Sequence, residues 1–335
     1  MTRLSELAQV LVKQPKGILA ADESNPTMDS RLLSAGLEGT EIKRKTWRDL
    51  IFSTGGLSEY VSGIIMYDET VRQDSQLGQS FVSMLTSFGI VPGVKVDTGT
   101  EHLCDSDGEL LTRGLDGLSK RLREYKNFGI QFTKWRAVFN IGPNTPSDNC
   151  IRSNANNLSK YASIAQEEGF VPIVEPEVLM EGDHSQKKCY EVTNKVLNIV
   201  FNELSKENVK LNSMILKPNM VLSGNLSGKE DSSQQVAVST LECLIQNVPK
   251  EVPGIAFLSG GQEDSQATRN LFQINRKARD FSNPWELTYS FGRAVLSSAL
   301  YTWGGNLNFV SSAQDIIINR LRASSNARLN NTKTI

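Results

Sequence analysis

The 335-residue chain is expected to fold as a single (β/α)8 TIM barrel, and three observations predict it. Eight short, apolar, β-rich runs recur at intervals of roughly 30 to 45 residues, the spacing of strand-plus-helix units. Stretches of helical period fill the intervals, and alternating β and α elements select a parallel sheet covered by helices. Charged residues gather at the C-terminal ends of the runs, the side on which such barrels build their sites. With eight repeats, closure leaves no unpaired strand edge, which favours a barrel over an open sheet.

In chain order the expected strands are Lys16–Asp22, Gly63–Asp68, Val91–Asp97, Phe132–Phe139, Val171–Glu177, Met214–Val221, Gly254–Gly261 and Leu287–Arg293. Each is rich in Val, Ile and aromatic residues and is bounded by Gly, Pro or Asp. Amphipathic helices are expected at Glu41–Phe52, Leu158–Gly169, Lys187–Lys206, Gln234–Asn247 and Gln266–Ala278, where apolar residues recur at three- and four-residue intervals. The polar stretches Gly142–Asn157 and Ser223–Ser233 each follow a strand and are expected as long loops. After Gln314 one amphipathic helix is expected, then a mobile polar tail over 326–335. No Pro/Gly/Ser tract divides the chain, so residues 1–335 are expected to form one domain.

Composition narrows the function. Acidic and basic residues nearly cancel (37 against 36, net charge −1), so no basic excess drives nucleic-acid binding. No apolar run reaches membrane-spanning length and no signal-peptide core opens the chain, so a cytoplasmic protein without a membrane partner is expected. The four cysteines stand far apart, which supports neither a zinc site nor a disulfide scaffold. With only two histidines, His102 and His184, a metal-dependent enzyme built on a histidine cluster is excluded; no metal or cofactor is expected. The segment Gly224–Lys229 looks like a P-loop but has one spacer too few and Glu230 where a hydroxyl belongs.

The most informative residue is a lysine inside an apolar run, Met214-Ile215-Leu216-Lys217-Pro218-Asn219-Met220-Val221. A lone lysine at a strand end usually snorkels to water. Its neighbours change that reading. Asp22 ends the first run, Lys95 and Asp97 lie on the third, Lys134 and Arg136 on the fourth, and Glu175 and Glu177 on the fifth. Side chains alternate along a strand, so Lys134/Arg136 and Glu175/Glu177 each project two charges to one face. The outer face packs under helices, where burying a charge is costly, so the lumen mouth is their destination. Two further lysines near Lys217 are expected to lower its pKa and expose a nucleophilic amine. Asp22, Glu175 and Glu177 supply acids and bases. The glycine-rich ends Ser259-Gly260-Gly261 and Gly292-Arg293 follow the seventh and eighth runs, where barrels of this kind form phosphate sites.

These segments resemble class I fructose-1,6-bisphosphate aldolases. The resemblance rests on Lys16-Gly17-Ile18-Leu19-Ala20-Ala21-Asp22-Glu23-Ser24, Gly93-Val94-Lys95-Val96-Asp97, Gly114-Leu115-Asp116-Gly117-Leu118 and Lys134-Trp135-Arg136. It continues through Ile173-Val174-Glu175-Pro176-Glu177, Leu216-Lys217-Pro218-Asn219-Met220 and Phe257-Leu258-Ser259-Gly260-Gly261-Gln262. It ends with Ser290-Phe291-Gly292-Arg293-Ala294 and Trp303-Gly304-Gly305, so the blocks run in family order through most of the chain. The resemblance implies a Schiff base at Lys217, a base at Asp22 for the C4 hydroxyl, an acid/base at Glu175 for carbinolamine chemistry and a second carboxylate at Glu177. Lys134 falls on a lysine that holds the site's electrostatics. Lys95 and Arg136 fall near the second phosphate, as do the hydroxyls of Ser24 and Thr27; Arg31 falls on a mobile arginine of the cleft. Ser259, Gly260, Gly292 and Arg293 match the ketone-side phosphate site. The expected reaction is reversible cleavage of fructose 1,6-bisphosphate, in glycolysis and gluconeogenesis, by a homotetramer.

Three departures stand out. Thr27 replaces a common serine, Asn25-Pro26 replaces a more flexible Thr-Gly, and the sequence ends at Ile335, its last tyrosine being Tyr301. Many members end in a tyrosine that moves the C3 proton of the enamine, so another route for that proton is expected. Transaldolases share the Schiff-base logic but not these blocks. A scaffold that had lost catalysis would not be expected to keep every catalytic position.

Overall fold

The computed structural model describes residues 2–104, 106 and 108–330. Eight strands form one parallel sheet: β1 Gly17–Ala21, β2 Val61–Met66, β3 Val91–Lys95, β4 Phe132–Phe139, β5 Val171–Val178, β6 Ile215–Leu216, β7 Gly254–Phe257 and β8 Glu286–Tyr289. Each pairs with its neighbour in sequence order. The ring closes just beyond β8, where the Ala20 N–H donates to the Phe291 carbonyl at 2.9 Å. The chain is a (β/α)8 barrel.

Two apolar cores hold it. The larger lies between the sheet and the surrounding helices. The second is the lower lumen, where Ile18, Ile65, Phe132, Ile173, Ile215 and Ala256 meet Ala8, Leu11 and Val12 of the N-terminal helix Arg3–Val12. That helix starts at a capping box between Thr2 and Ser5 and turns its apolar face into the barrel as a plug. Gly93 on β3 is needed here, because a Cβ there would lie 2.3 Å from the Phe132 ring. The far end of the chain seals the same floor. Arg328, buried near the end of the helix Val310–Arg328, donates to the carbonyls of Val12 (2.8 Å), Lys13 (3.2 Å), Lys16 and Leu287 (3.0 Å), and pairs with Glu286 at 3.0 Å.

Three expectations change and one element is new. Residues 326–328, expected as the start of a mobile tail, complete the last helix instead; residues 331–335 lie outside the described residues. The stretch expected as a loop over Gly142–Asn157 is helical from Asp148, capped by the Ser147 hydroxyl, which accepts from the Cys150 N–H at 3.1 Å. A hairpin not expected at all, Thr100–His102 with Leu110–Thr112, stands over the barrel mouth after β3. Finally, β6 is two residues long rather than eight, because Pro218 has no N–H to continue the ladder.

Candidate active site

Alternation along the strands carries the lumen from apolar to charged. On β4, Phe132 lies in the lower core and Lys134 and Arg136 line the cleft above; on β5, Ile173 is below and Glu175 and Glu177 above. Ile215 and Lys217 repeat the pattern across β6. The result is a cleft of about 390 Å³ at the C-terminal mouth of the barrel. Every residue singled out from the sequence lines it: Asp22, Ser24, Thr27, Arg31, Lys95, Lys134, Arg136, Glu175, Glu177, Lys217, Ser259, Gly260, Gly292 and Arg293.

At its centre the charges alternate in sign. Lys217 Nζ lies 3.0 Å from Glu175 Oε1, the second oxygen of Glu175 lies 3.0 Å from Lys134 Nζ, and Lys134 Nζ lies 2.6 Å from Asp22 Oδ2. Lys134, Glu175 and Lys217 are each 3% exposed. Taking such groups from water is tolerated only where partners and geometry compensate, and here each lysine faces a carboxylate. Two further pairs flank the chain: Arg136 Nε with Glu177 Oε2 at 2.5 Å, and Lys95 with Asp97.

Protonation follows from the same layout. Burial pushes the Asp22 carboxyl upward, but Lys134, Lys217 and Lys95 outweigh it and hold Asp22 well below the usual carboxylate range. Glu175 is likewise lowered, burial being overcome by Lys134, Lys217 and Arg136. Burial alone would lower Lys134, yet Asp22, Glu175 and Asp97 raise it and keep it an ammonium. The site therefore has an ionised base, a carboxylate shared between two lysines and a fixed positive charge.

One end of the cleft is shaped for an anion. Gly292 caps the eleven-residue helix Arg293–Trp303, whose free N–H groups favour negative charge. A Cβ on Gly292 would lie 2.9 Å from the Ala20 carbonyl, so only glycine lets this turn close against β1. After β7, Gly261 has φ 100°, and a Cβ there would meet Arg293 Nη1 at 3.1 Å. Arg293 has no acidic partner within ion-pair distance among the described residues. Lys95, Arg136 and the mutually bonded hydroxyls of Ser24 and Thr27 (2.9 Å apart) offer further anion donors. Arg31 bonds Glu23 and shares a side cavity with Arg293.

Asp97, Glu23 and Ser290 also line the cleft and received no role from the sequence. Asp97 was placed at a strand end without one; it holds Lys95 and accepts from the Arg136 N–H at 3.2 Å. Glu23 pairs with Arg31 and with buried Arg48 at 2.8 Å. Its signal was Arg48, an arginine among Trp47, Leu50 and Ile51 on the apolar face of the helix Glu41–Phe52. Ser290 is buried and its hydroxyl has no partner among the described residues; counting by twos from Thr288 finds it.

The chain is similar to known proteins over most of its length. The family model described as fructose-bisphosphate aldolase class-I matches residues 3–334. The Xanthomonas campestris pv. campestris protein named "Probable fructose-bisphosphate aldolase class 1" is 45% identical over 333 residues, 99% of this chain and 98% of its own. The cytosolic fructose-bisphosphate aldolase 6 of Arabidopsis thaliana is 46% identical over 314 residues, 94% of this chain and 87% of its own. Among solved structures, fructose-bisphosphate aldolase from Plasmodium falciparum, in complex with TRAP and a small-molecule inhibitor, superposes with a TM-score of 0.96 at 42% identity, covering 98% of this chain and 95% of that one.

Proposed function

The chain belongs to the class-I fructose-bisphosphate aldolase family, and we propose that the charged mouth of its barrel performs the family's reaction with the residues in the roles that follow. The reaction is reversible cleavage of fructose 1,6-bisphosphate to dihydroxyacetone phosphate and glyceraldehyde 3-phosphate, a glycolytic step run by a metal-independent lyase through a lysine Schiff base.

Lys217 is the imine lysine, and the observation that carries this is the 3.0 Å contact between its Nζ and Glu175. Glu175 takes a proton from the ammonium, the amine attacks the C2 ketone, and Glu175 returns the proton to the carbinolamine hydroxyl so that water leaves. The iminium draws electrons from the C3–C4 bond. Asp22, kept ionised by its lysine neighbours, accepts the C4 hydroxyl proton as that bond breaks, glyceraldehyde 3-phosphate departs and an enamine remains. Protonation at C3 and hydrolysis then release dihydroxyacetone phosphate. Lys134 holds Asp22 and Glu175 in place and offsets their charge. Glu177 fixes Arg136 beside this chemistry.

Ser259, Gly260, Gly292 and Arg293 bind the ketone-side phosphate; Lys95, Arg136, Ser24 and Thr27 bind the other, with Arg31 free to swing between Glu23 and a phosphate. Holding both ends converts binding energy into orientation of the scissile bond. Residues 1–335 act as one domain, and the protein works as a cytoplasmic homotetramer, the usual form of the family, in both glycolysis and gluconeogenesis.

Borohydride reduction in the presence of dihydroxyacetone phosphate tests the central assignment. A covalent adduct mapped to Lys217 is expected; no adduct at saturating ligand, or one on Lys95 or Lys134, overturns it.

A further inference from the structure

The Schiff-base lysine sits where the sheet has almost no ladder. β6 pairs with β5 only through Ile173–Ile215 and Val174–Leu216, and with β7 only through Leu216–Ile255. The Lys217 N–H still reaches the Val174 carbonyl at 2.8 Å, but the next link to β5 would need an N–H from Pro176, and toward β7 Pro218 has none to give. From here the strand stops, although its neighbour β5 runs on through Glu175 and Glu177 to Val178. A nucleophile on an unpaired segment beside a paired one would have no fixed register against its acid/base partner.

Asn219 restores the connection. Its side-chain oxygen accepts from the Val178 N–H at 3.1 Å, the residue directly after Glu177. Its amide nitrogen donates to the Thr193 hydroxyl at 3.1 Å and to the Met220 carbonyl at 3.1 Å. Thr193 belongs to the helix Gln186–Lys206, so one carboxamide ties the segment both to β5 and to the helix outside it. In an unbroken strand residues 217 and 219 would share a face. Here Lys217 lines the cleft while Asn219, 5% exposed, reaches the helix layer, so the chain turns over at Pro218. On the other side, the Leu258 N–H donates to the Pro218 carbonyl at 3.2 Å, next to Ser259 of the phosphate turn.

We propose that Asn219 is the positioning residue of the imine lysine: its carboxamide ties the segment after Lys217 to β5, where the backbone ladder has stopped, and sets Lys217 against Glu175. The proposal rests on the reading of Lys217 given above. Asn219 touches no reacting atom. Its loss should slow the steps in which Lys217 and Glu175 exchange protons while leaving the two phosphate sites, and so substrate affinity, nearly intact. A residue needed only for folding would lower the folded fraction and leave the kinetics of the folded protein alone.

The test is steady-state cleavage of fructose 1,6-bisphosphate by Asn219→Ala, below its unfolding transition and normalised to the folded fraction by circular dichroism, together with the rate of borohydride trapping of dihydroxyacetone phosphate. Small misplacements of reacting groups cost on the order of 10²-fold, so kcat and the trapping rate should fall by ~10- to 100-fold with KM within about threefold, the adduct still mapping to Lys217. A kcat within about twofold of the parent, or a loss confined to KM, overturns the proposal. Should Asn219→Ala fail to fold, Thr193→Val removes only the hydroxyl that orients the carboxamide; a kcat reduced by ~3- to 10-fold at unchanged KM is then expected, by the same positioning cost, and an unchanged kcat overturns it. An adduct absent from Lys217 in the parent protein overturns the imine assignment itself and this proposal with it; an adduct present with unaltered variant kinetics overturns this proposal alone.

Discussion

The lower and upper halves of the lumen are built by the same strands, one side chain apart in the alternation, and they solve opposite problems. Below, Phe132, Ile173 and Ile215 pack on the plug helix with no measurable exposure. Above, the polar side chains of Lys134, Glu175 and Lys217 are nearly as buried, beside a cleft of about 390 Å³. The lower half is held by close packing and removal of apolar surface from water, where each large side chain contributes about 1.5–3 kcal/mol. The upper half gains little from burial, because charge neutralisation has first to offset desolvation. A (β/α)8 barrel can thus keep its chemistry apart from its stability within one lumen. Each half should respond to mutation in its own way.

The sharpest way to separate them is a pair of substitutions. Lys217→Met should abolish the covalent route and lower kcat by ~10⁴-fold or more, as loss of a nucleophile does elsewhere. The fold should survive, since Glu175 keeps Lys134 as a partner. Phe132→Ala, two residues below Lys134, should cost about 3–5 kcal/mol through lost burial and a cavity at the plug. Its folded fraction should turn over within a few-fold of the parent. Chemical denaturation and kcat measured on the same two proteins check both statements. A Lys217→Met protein less stable than Phe132→Ala would erase the division of labour.

The same division decides what could be read without coordinates. The lower half announces itself by hydrophobic period, which is why the first five strands and the helices Glu41–Phe52 and Lys187–Lys206 are legible to within a residue or two. The last three strands stop four or five residues short of their expected ends. The upper half is legible where charge interrupts an apolar run, as at Lys134, Glu175 and Lys217. Elements whose partners are polar escape such a reading. The helix from Asp148 carries buried Asn154, whose amide donates to the Leu110 carbonyl at 2.8 Å, and Asn157, which donates to Thr112 at 3.0 Å. Those bonds hold the hairpin that was not expected. Composition marked the start of that helix as loop and gave no sign of the hairpin, because their contacts are hydrogen bonds between segments far apart in the chain. The two-residue length of β6 was visible at Pro218, but what replaces its ladder, a side chain bonded to β5, is a tertiary fact.

The smallest effect concerns the upper half alone and asks whether lysines or burial rule it. Burial and the lysines pull the Asp22 carboxyl in opposite directions, and the lysines win, so its pKa is lower folded than unfolded. A lowered carboxylate adds stability that is fully present above its unfolded pKa, about 3.9, and is lost as pH falls through the folded value. Lys134, raised by Asp22 and Glu175, keeps its contribution until pH passes its unfolded value near 10.4. Neither group therefore titrates between about pH 5 and 9. The gap in thermal midpoint between the parent and Asp22→Asn should be flat across that range and narrow below about pH 4, because asparagine cannot titrate and the parent loses its advantage as Asp22 takes up a proton. Differential scanning calorimetry of the two proteins from pH 8 to pH 3 measures it. A gap that widens on acidification would mean that desolvation, not Lys134, governs Asp22. The upper lumen would then be held together as the lower one is, by what it excludes.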